Sequence, residues 1–144
     1  MLIIPLILSH AFLTPDGYSC EPKIDKGNIV ISRQIDSYYD TQNKNIYLCP
    51  QILGDTERTK YAYYHEFGHW TFYNFLTREE QNYWWTIKND ANSCVSDYAK
   101  TNRLEDFAET FAHVILGKDW YTDSPILTVK NRFVRKIIIR LKAK

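Results

Sequence analysis

Hydrophobic and polar positions divide the chain into a short strand region and a longer helical region. The β-branched segment 28–35 predicts a strand, segment 45–49 predicts its partner, and the polar residues 40–44 predict a turn before that partner. Further along, apolar residues recur at helical spacing and predict four helices. They are expected over residues 55–76, 77–88, 102–117 and from 124 onward. A small antiparallel sheet followed by helices indicates an α+β fold.

The boundaries of these helices carry recognisable capping residues. Thr77-Arg78-Glu79-Glu80 has the spacing of a capping box. Asn102 suits the N-cap position of the next helix, and Gly117 suits its C-terminal end. Ser124-Pro125 suits the start of the last helix, since proline is favoured at the first helical position. Capping chemistry therefore predicts the same boundaries as the hydrophobic spacing.

Size and composition indicate one folded domain over residues 1–144. Hydrophobic residues make up 44% of the chain and charged residues 24%, which is typical of a globular protein. The net charge of +1 gives no electrostatic case for binding nucleic acid. A monomer is expected.

A basic tail covers residues 130–144, where charged residues alternate with an apolar stripe at helical spacing. We interpret it as a terminal helix that packs its apolar stripe on the domain and exposes its basic face, Lys130 included. Contact with an anionic membrane surface or partner is the alternative interpretation. Stable insertion into a membrane is not expected.

The apolar N-terminal residues 1–13 are too short for a transmembrane helix. They have the length of a signal-peptide core, although no Lys or Arg precedes them, and small residues near Ala11 and Ser19 loosely suit cleavage. We interpret 1–19 as a candidate leader of a secreted protein. The alternative is a strand or helix of the fold in a cytoplasmic protein.

The three cysteines are too few for a disulfide framework. A bridge between Cys20 and Cys49 would be compatible with export. Neither of them, nor Cys94, belongs to a C-x-x-C pair, so a cysteine-based metal site is not expected.

The pentapeptide His65-Glu66-Phe67-Gly68-His69 is an H-E-x-x-H motif inside the first predicted helix. Four helical residues turn through about 400°, so His65 and His69 lie on one face about one turn apart. Two neutral imidazoles at this spacing can bind one Zn²⁺, and Glu66 lies close enough to act on a water held by the metal. The motif alone can also arise by coincidence, because it specifies only three positions.

A catalytic zinc commonly takes a third protein ligand, and the helix expected from residue 102 offers two acidic candidates. Glu105 and Glu109 lie four residues apart on one helical face, beside an apolar seam that would bury them. One carboxylate would then bind the metal and the other would accept the ring N–H of a ligand histidine. The competing interpretation is a helix with exposed acids near its N-terminus. Asp106 is expected to point away from the metal and either to cap the helix or to be solvated.

Two motifs together resemble a known family. Val95-Ser96-Asp97-Tyr98-Ala99 is followed by Glu105-Asp106-Phe107-Ala108-Glu109 and then by Phe111-Ala112. With the H-E-x-x-H pentapeptide they look like the catalytic domain of anthrax lethal factor and the related bacterial Pro-Pro endopeptidases, in which a tyrosine lies seven residues before the ligand glutamate. The resemblance runs from about residue 45 to the C-terminal end, including the Pro-Lys-Phe pattern of the last helix.

The resemblance implies a mainly helical, zincin-like domain of gluzincin type that hydrolyses peptide bonds. His65, His69 and Glu105 would bind Zn²⁺, Glu66 would be the general base, and Tyr98 would donate a hydrogen bond to the oxyanion. Glu109 would orient a ligand histidine. The opposite assignment, with Glu109 as ligand and Glu105 in support, remains the alternative.

The expected activity is a zinc-dependent endopeptidase acting on a protein or peptide substrate. Two alternatives are an intracellular regulatory metallopeptidase that cleaves a repressor partner and a non-catalytic, zinc-stabilised binding domain. The presence of both Glu66 and Tyr98 argues against the last, because a purely structural zinc needs neither.

Overall fold

A computed structural model describes residues 11–13, 23–25, 28–30, 37–42, 44–48, 55–90, 92–118 and 123–144. The chain divides into two compact units, residues 1–63 and 64–144, and the boundary falls within the first helix. The first unit contains the described strands. The second contains most of the described helical residues. A single metallopeptidase domain over 1–144 stays a prediction.

Among the described residues of the first unit, five short strands form two sheets. In the larger sheet, the middle strand pairs antiparallel with one neighbour and parallel with the other. The smaller sheet is an antiparallel pair. The strands are β1 (Ala11–Leu13), β2 (Lys23–Asp25), β3 (Asn28–Val30), β4 (Ser37–Asp40) and β5 (Asn45–Leu48), with the order β1-β5-β4 in the larger sheet and β2-β3 in the smaller.

The strand β5 was predicted, but its predicted partner is wrong. β5 pairs with β4, and the segment at 28–30 pairs with β2 instead. The polar turn between β4 and β5 explains why these two strands pair, because it brings them together in a local hairpin. Within the turn the Asp40 carboxylate accepts the backbone N–H of Gln42 at 2.9 Å, and Tyr38 stacks on Tyr47 across the strands at 4.8 Å.

Several N-terminal expectations stay predictions. Strand β1 falls within the candidate leader, and the remainder of 1–19 lies outside the described residues. Cys20 and Cys49 also lie outside them, so the bridge between these cysteines is untested. Cys94 is a free cysteine.

The described part of the chain contains four α-helices, and the sequence predicts all of them. The capping box at Thr77 is present, with Thr77 and Glu80 exchanging hydrogen bonds. Asn102 accepts the backbone N–H groups of Leu104 and Glu105. The helices are α1 (Thr56–Asn74), α2 (Arg78–Thr86), α3 (Arg103–Ile115) and α4 (Pro125–Lys142), with a short 3-10 helix over Tyr98–Lys100 before α3. An α+β composition, mostly helical with small sheets, is therefore confirmed.

Helix α3 is the central element of the second unit. Phe107 and Phe111 are completely buried on it, and Phe107 meets the fully buried Trp84 of α2 edge to face at 5.1 Å. The Trp84 indole N–H donates to the Arg103 carbonyl at 2.9 Å, so this ring satisfies its polar atom at the start of α3. The core therefore fixes α3, the helix on which both candidate acids lie.

Two charged residues predicted to be exposed are instead completely buried. The Lys130 ammonium on α4 lies 2.6 Å from an Asp106 carboxylate oxygen on α3 and donates to the Ser93 carbonyl at 2.5 Å. The predictions that Asp106 faces solvent and that Lys130 belongs to a solvated face are therefore wrong. Burial is tolerated because each charge neutralises the other.

The basic residues further along α4 include exposed positions such as Lys136 and Arg140. Arg140 binds the Glu80 carboxylate with two N–H groups. Among the described residues, no helix combines the length and apolar character needed to cross a membrane.

Candidate metal centre

Helix α1 places both histidines of the pentapeptide on one face, with His65 buried and His69 half-buried. His65 and Glu66 are each 7% exposed. The Nε2 atoms of His65 and His69 lie 3.2 Å apart, with the rings nearly perpendicular to each other. Successive helical turns therefore aim two imidazole nitrogens at one point, as the spacing predicts.

The glycine between the histidines allows α3 to approach. A Cβ atom added to Gly68 would lie 2.9 Å from the Ala108 Cα and 3.2 Å from the Phe111 Cβ. Backbone atoms of α3 occupy that space, so no larger residue fits without separating the helices. Gly68 is thus part of the reason that α3 reaches the histidines, although the motif treats this position as free.

Glu105, on the first turn of α3, meets both histidines. Its Oε2 atom lies 3.0 Å from Nε2 of His65 and 3.3 Å from Nε2 of His69. Within the described structure this oxygen is buried and has no hydrogen bond of acceptable geometry, despite the short contacts. The Oε2 atom of Glu105 and the Nε2 atoms of both histidines therefore lie together, although neither histidine makes a hydrogen bond of good geometry to this oxygen.

The spacing of these three atoms suits a small cation. Bonds of about 2.0–2.1 Å in a tetrahedral zinc site place neighbouring ligand atoms roughly 3.3 Å apart. The separations of 3.0, 3.2 and 3.3 Å among the ligand atoms of His65, His69 and Glu105 are close to that value. These residues form a group that can hold a metal ion among the residues that the structure describes. The donor set of two imidazoles and one carboxylate fits Zn²⁺.

Glu109 occupies the outer side of His65. Its Oε1 atom lies 2.7 Å from Nδ1 of His65, the ring nitrogen that faces away from Glu105. When Nδ1 carries the proton and donates it to Glu109, the lone pair of Nε2 is free to bind a metal. Glu105 therefore lies beside both Nε2 atoms, where the resemblance implies a metal ligand, and Glu109 lies behind His65, where it implies an orienting acid. Both roles stay predictions.

The charges at this centre favour a cation. Burial lowers the pKa of His65, but the contacts with Glu105 and Glu109 and the charge of Glu66 outweigh it and raise the pKa to about 10. Burial raises the pKa of Glu105, but the contacts with His65 and His69 outweigh it and hold the pKa at about 2. Three carboxylates therefore surround the histidines, and positive charge is stabilised there.

Tyr98 lies beside the same histidine. Its ring centroid is 5.7 Å from that of His65. Burial, followed by the negative charges of Glu105, Glu66 and Glu109, raises the pKa of Tyr98 to about 12. The phenol therefore keeps its proton at neutral pH and can donate a hydrogen bond.

The structure brings all six residues named from the sequence into the second unit. They are His65, Glu66, His69, Tyr98, Glu105 and Glu109. Sequence reasoning gave no role to Ser96, whose hydroxyl donates to Oε2 of Glu109 at 2.6 Å. Its position two residues before Tyr98, in the same motif, was the feature of the sequence that could have indicated a role.

Comparisons with known proteins leave the family open. No family model matches this chain, and neither a curated protein nor a solved structure does. The lethal factor-like family and the gluzincin classification therefore stay predictions from the sequence motifs.

Proposed function

We propose that the chain is a zinc-dependent endopeptidase of the lethal factor-like type. The observation that carries the proposal is that Nε2 of His65, Nε2 of His69 and Oε2 of Glu105 lie together, with Glu66 and Tyr98 beside them. A structural metal site would account for the three ligands. It would not account for the two additional buried or half-buried groups.

His65, His69 and Glu105 would hold the zinc, and Glu109 would keep His65 in the tautomer that leaves Nε2 unprotonated. When bound, Zn²⁺ polarises the scissile carbonyl and lowers the pKa of a water molecule. Two histidines and one carboxylate would form a donor set that is typical of catalytic zinc sites.

Glu66 would act as the general base. It follows the ligand His65 directly on the helix and is buried, and its charge acts on both His65 and Tyr98. The carboxylate would accept a proton from the attacking water and pass it to the leaving amine. A single side chain, Glu66, would therefore carry the proton from the attacking water to the leaving amine.

Tyr98 would stabilise the tetrahedral intermediate. Its phenol remains protonated because burial and three nearby carboxylates disfavour the phenolate. It would donate a hydrogen bond to the oxyanion as negative charge develops on the former carbonyl oxygen. Glu66 and Tyr98 would thus supply the proton transfer and the oxyanion hydrogen bond for hydrolysis of a peptide bond.

The substrate and the cellular location are further parts of the proposal. A protein or peptide substrate follows from the reaction class, and secretion rests on the interpretation of residues 1–19 as a candidate leader. A regulatory enzyme that cleaves a repressor would use the same centre, so it differs from the main proposal in substrate and location alone.

Tyr98→Phe is expected to lower turnover by roughly ten- to a thousandfold, as for loss of one oxyanion donor. Zinc content should stay unchanged, because the hydroxyl is not among the three ligand groups. The measurement is kcat on peptides selected from a cleavage library, at full zinc occupancy. Tyr83→Phe, at an exposed tyrosine on α2, is the matched control. Unchanged turnover in Tyr98→Phe would remove Tyr98 from the mechanism.

A further inference from the structure

Ser96 connects two parts of the candidate centre through a single hydroxyl. Its Oγ donates to Oε2 of Glu109 at 2.6 Å and accepts the backbone N–H of Ala99 at 3.1 Å. Glu109 uses its other oxygen for Nδ1 of His65 at 2.7 Å. An unbroken series of hydrogen bonds therefore runs from the backbone beside Tyr98 to a metal-ligand histidine.

The hydrogen bonds of this series have one consistent set of directions when Glu109 is an ionised carboxylate, which can only accept. A backbone N–H can only donate, so the Ser96 oxygen accepts from Ala99 and its one proton is left for Glu109. Glu109 then accepts from both sides, which requires that His65 carries its proton on Nδ1. The hydroxyl of Ser96 thus helps to hold the carboxylate that keeps a proton on Nδ1 of His65, away from the Nε2 atom that would bind a metal.

The same hydroxyl stabilises the 3-10 turn that carries Tyr98. Asp97 caps no backbone N–H of this short helix in the described structure, and its carboxylate instead pairs with Lys100 at 2.5 Å. Ser96 is the neighbouring side chain that does accept a backbone N–H, from the completely buried Ala99. The position of the Tyr98 backbone therefore depends on the oxygen that also holds Glu109.

We propose that Ser96 is a positioning residue that couples the Tyr98 turn to the ligand His65 through Glu109. The proposal rests on the proposed zinc endopeptidase and adds a role that neither motif assigns. Ser96 contacts no reacting atom. It affects zinc affinity because it holds the Glu109 carboxylate, and it affects turnover because it stabilises the turn that carries Tyr98.

Ser96→Ala is expected to weaken zinc binding measurably, but by less than the loss of about 10- to 100-fold that is usual when the group that orients a ligand directly, here Glu109, is removed. It should also lower kcat when zinc is saturating, because the Ala99 N–H loses its acceptor. Ser96→Thr keeps a hydroxyl and should retain most of both properties. Zinc affinity is measured by competition with a chromogenic chelator, without any substrate. Thr86→Ala, which removes an exposed hydroxyl from α2, is the control.

A double-mutant cycle separates coupling from a general loss of structure. If Ser96 acts through Glu109, then Ser96→Ala should change zinc affinity far less in a Glu109→Leu background than in the wild type. Equal losses in both backgrounds, or no loss in the single variant, would overturn the proposal. A wild type that binds zinc with this coupling but cleaves no peptide would overturn the endopeptidase and leave the coupling intact. A wild type that binds no zinc would overturn both.

Discussion

Glu66→Gln is expected to reduce peptide hydrolysis by about 10²- to 10⁴-fold, the usual contribution of a general base. Glutamine has nearly the same size as glutamate, so it should fit the buried position of Glu66. It cannot accept the proton of the attacking water. Zinc affinity should remain close to that of the wild type, because the metal-binding group consists of His65, His69 and Glu105.

The measurement is kcat for a library-selected peptide, with zinc content determined on the same samples. Glu79→Gln, at an exposed acid on α2, makes the same chemical change away from the centre and should leave turnover unchanged. Equal activity in Glu66→Gln and the wild type would contradict the mechanism. Lost activity together with lost zinc would show that Glu66 supports the metal site, and the general-base assignment would then fail.

Lys130→Met is expected to lower the free energy of unfolding by about 3–5 kcal/mol, as when one partner of a buried ion pair is removed. Both Lys130 and Asp106 are completely buried, and the ammonium also satisfies the Ser93 carbonyl. Methionine fills much of the space but removes the ion-pair partner of the Asp106 carboxylate, and Arg103 remains as a cation that acts on it without a hydrogen bond. The measurement is urea-induced unfolding at neutral pH.

Two comparisons make the Lys130 result specific. Lys136→Met, at an exposed position of the same helix, should change stability by less than about 0.5 kcal/mol. Adding Asp106→Leu to Lys130→Met should recover part of the loss, since the buried charge disappears while the Ser93 carbonyl still lacks its donor. A single variant as stable as the wild type, or a double variant less stable than the single, would contradict the proposed cost of an unpaired Asp106.

The pH dependence of the Lys130 variant follows from the pKa of Asp106. Burial already raises the pKa of Asp106 in the wild type, although Lys130 opposes it. Without Lys130 the folded-state pKa rises further above the unfolded value of about 3.9. The folded carboxyl then binds a proton more tightly than the unfolded one, so the loss of stability should shrink as pH falls towards about 4 and grow as pH rises towards neutrality.

Features that depend on neighbouring residues could be predicted from the sequence. The capping interactions of Thr77 and Asn102 join residues two or three positions apart, so their spacing carries the whole signal. The same holds for the common face of His65 and His69, which one helical turn determines. The pairing of Glu105 with these histidines required the motif resemblance in addition, because it joins two separate helices.

Features that depend on distant packing could not be predicted. The polar appearance of Ser37–Asp40 hid the strand that pairs with β5, since tyrosines supply its cross-strand contact. Lys130 and Asp106 are charged and were therefore expected in solvent. Only the meeting of α3 and α4 makes their burial tolerable. The need for a glycine at position 68 likewise comes from atoms of α3.

The location of bound zinc tests the central proposal most directly. Crystals of the wild type grown with zinc would be used for an anomalous-difference map at the zinc absorption edge. We predict one peak per chain, about 2.0–2.2 Å from Nε2 of His65, Nε2 of His69 and a carboxylate oxygen of Glu105. No peak at these residues, or a peak bound by Glu109 in place of Glu105, would contradict the proposed centre.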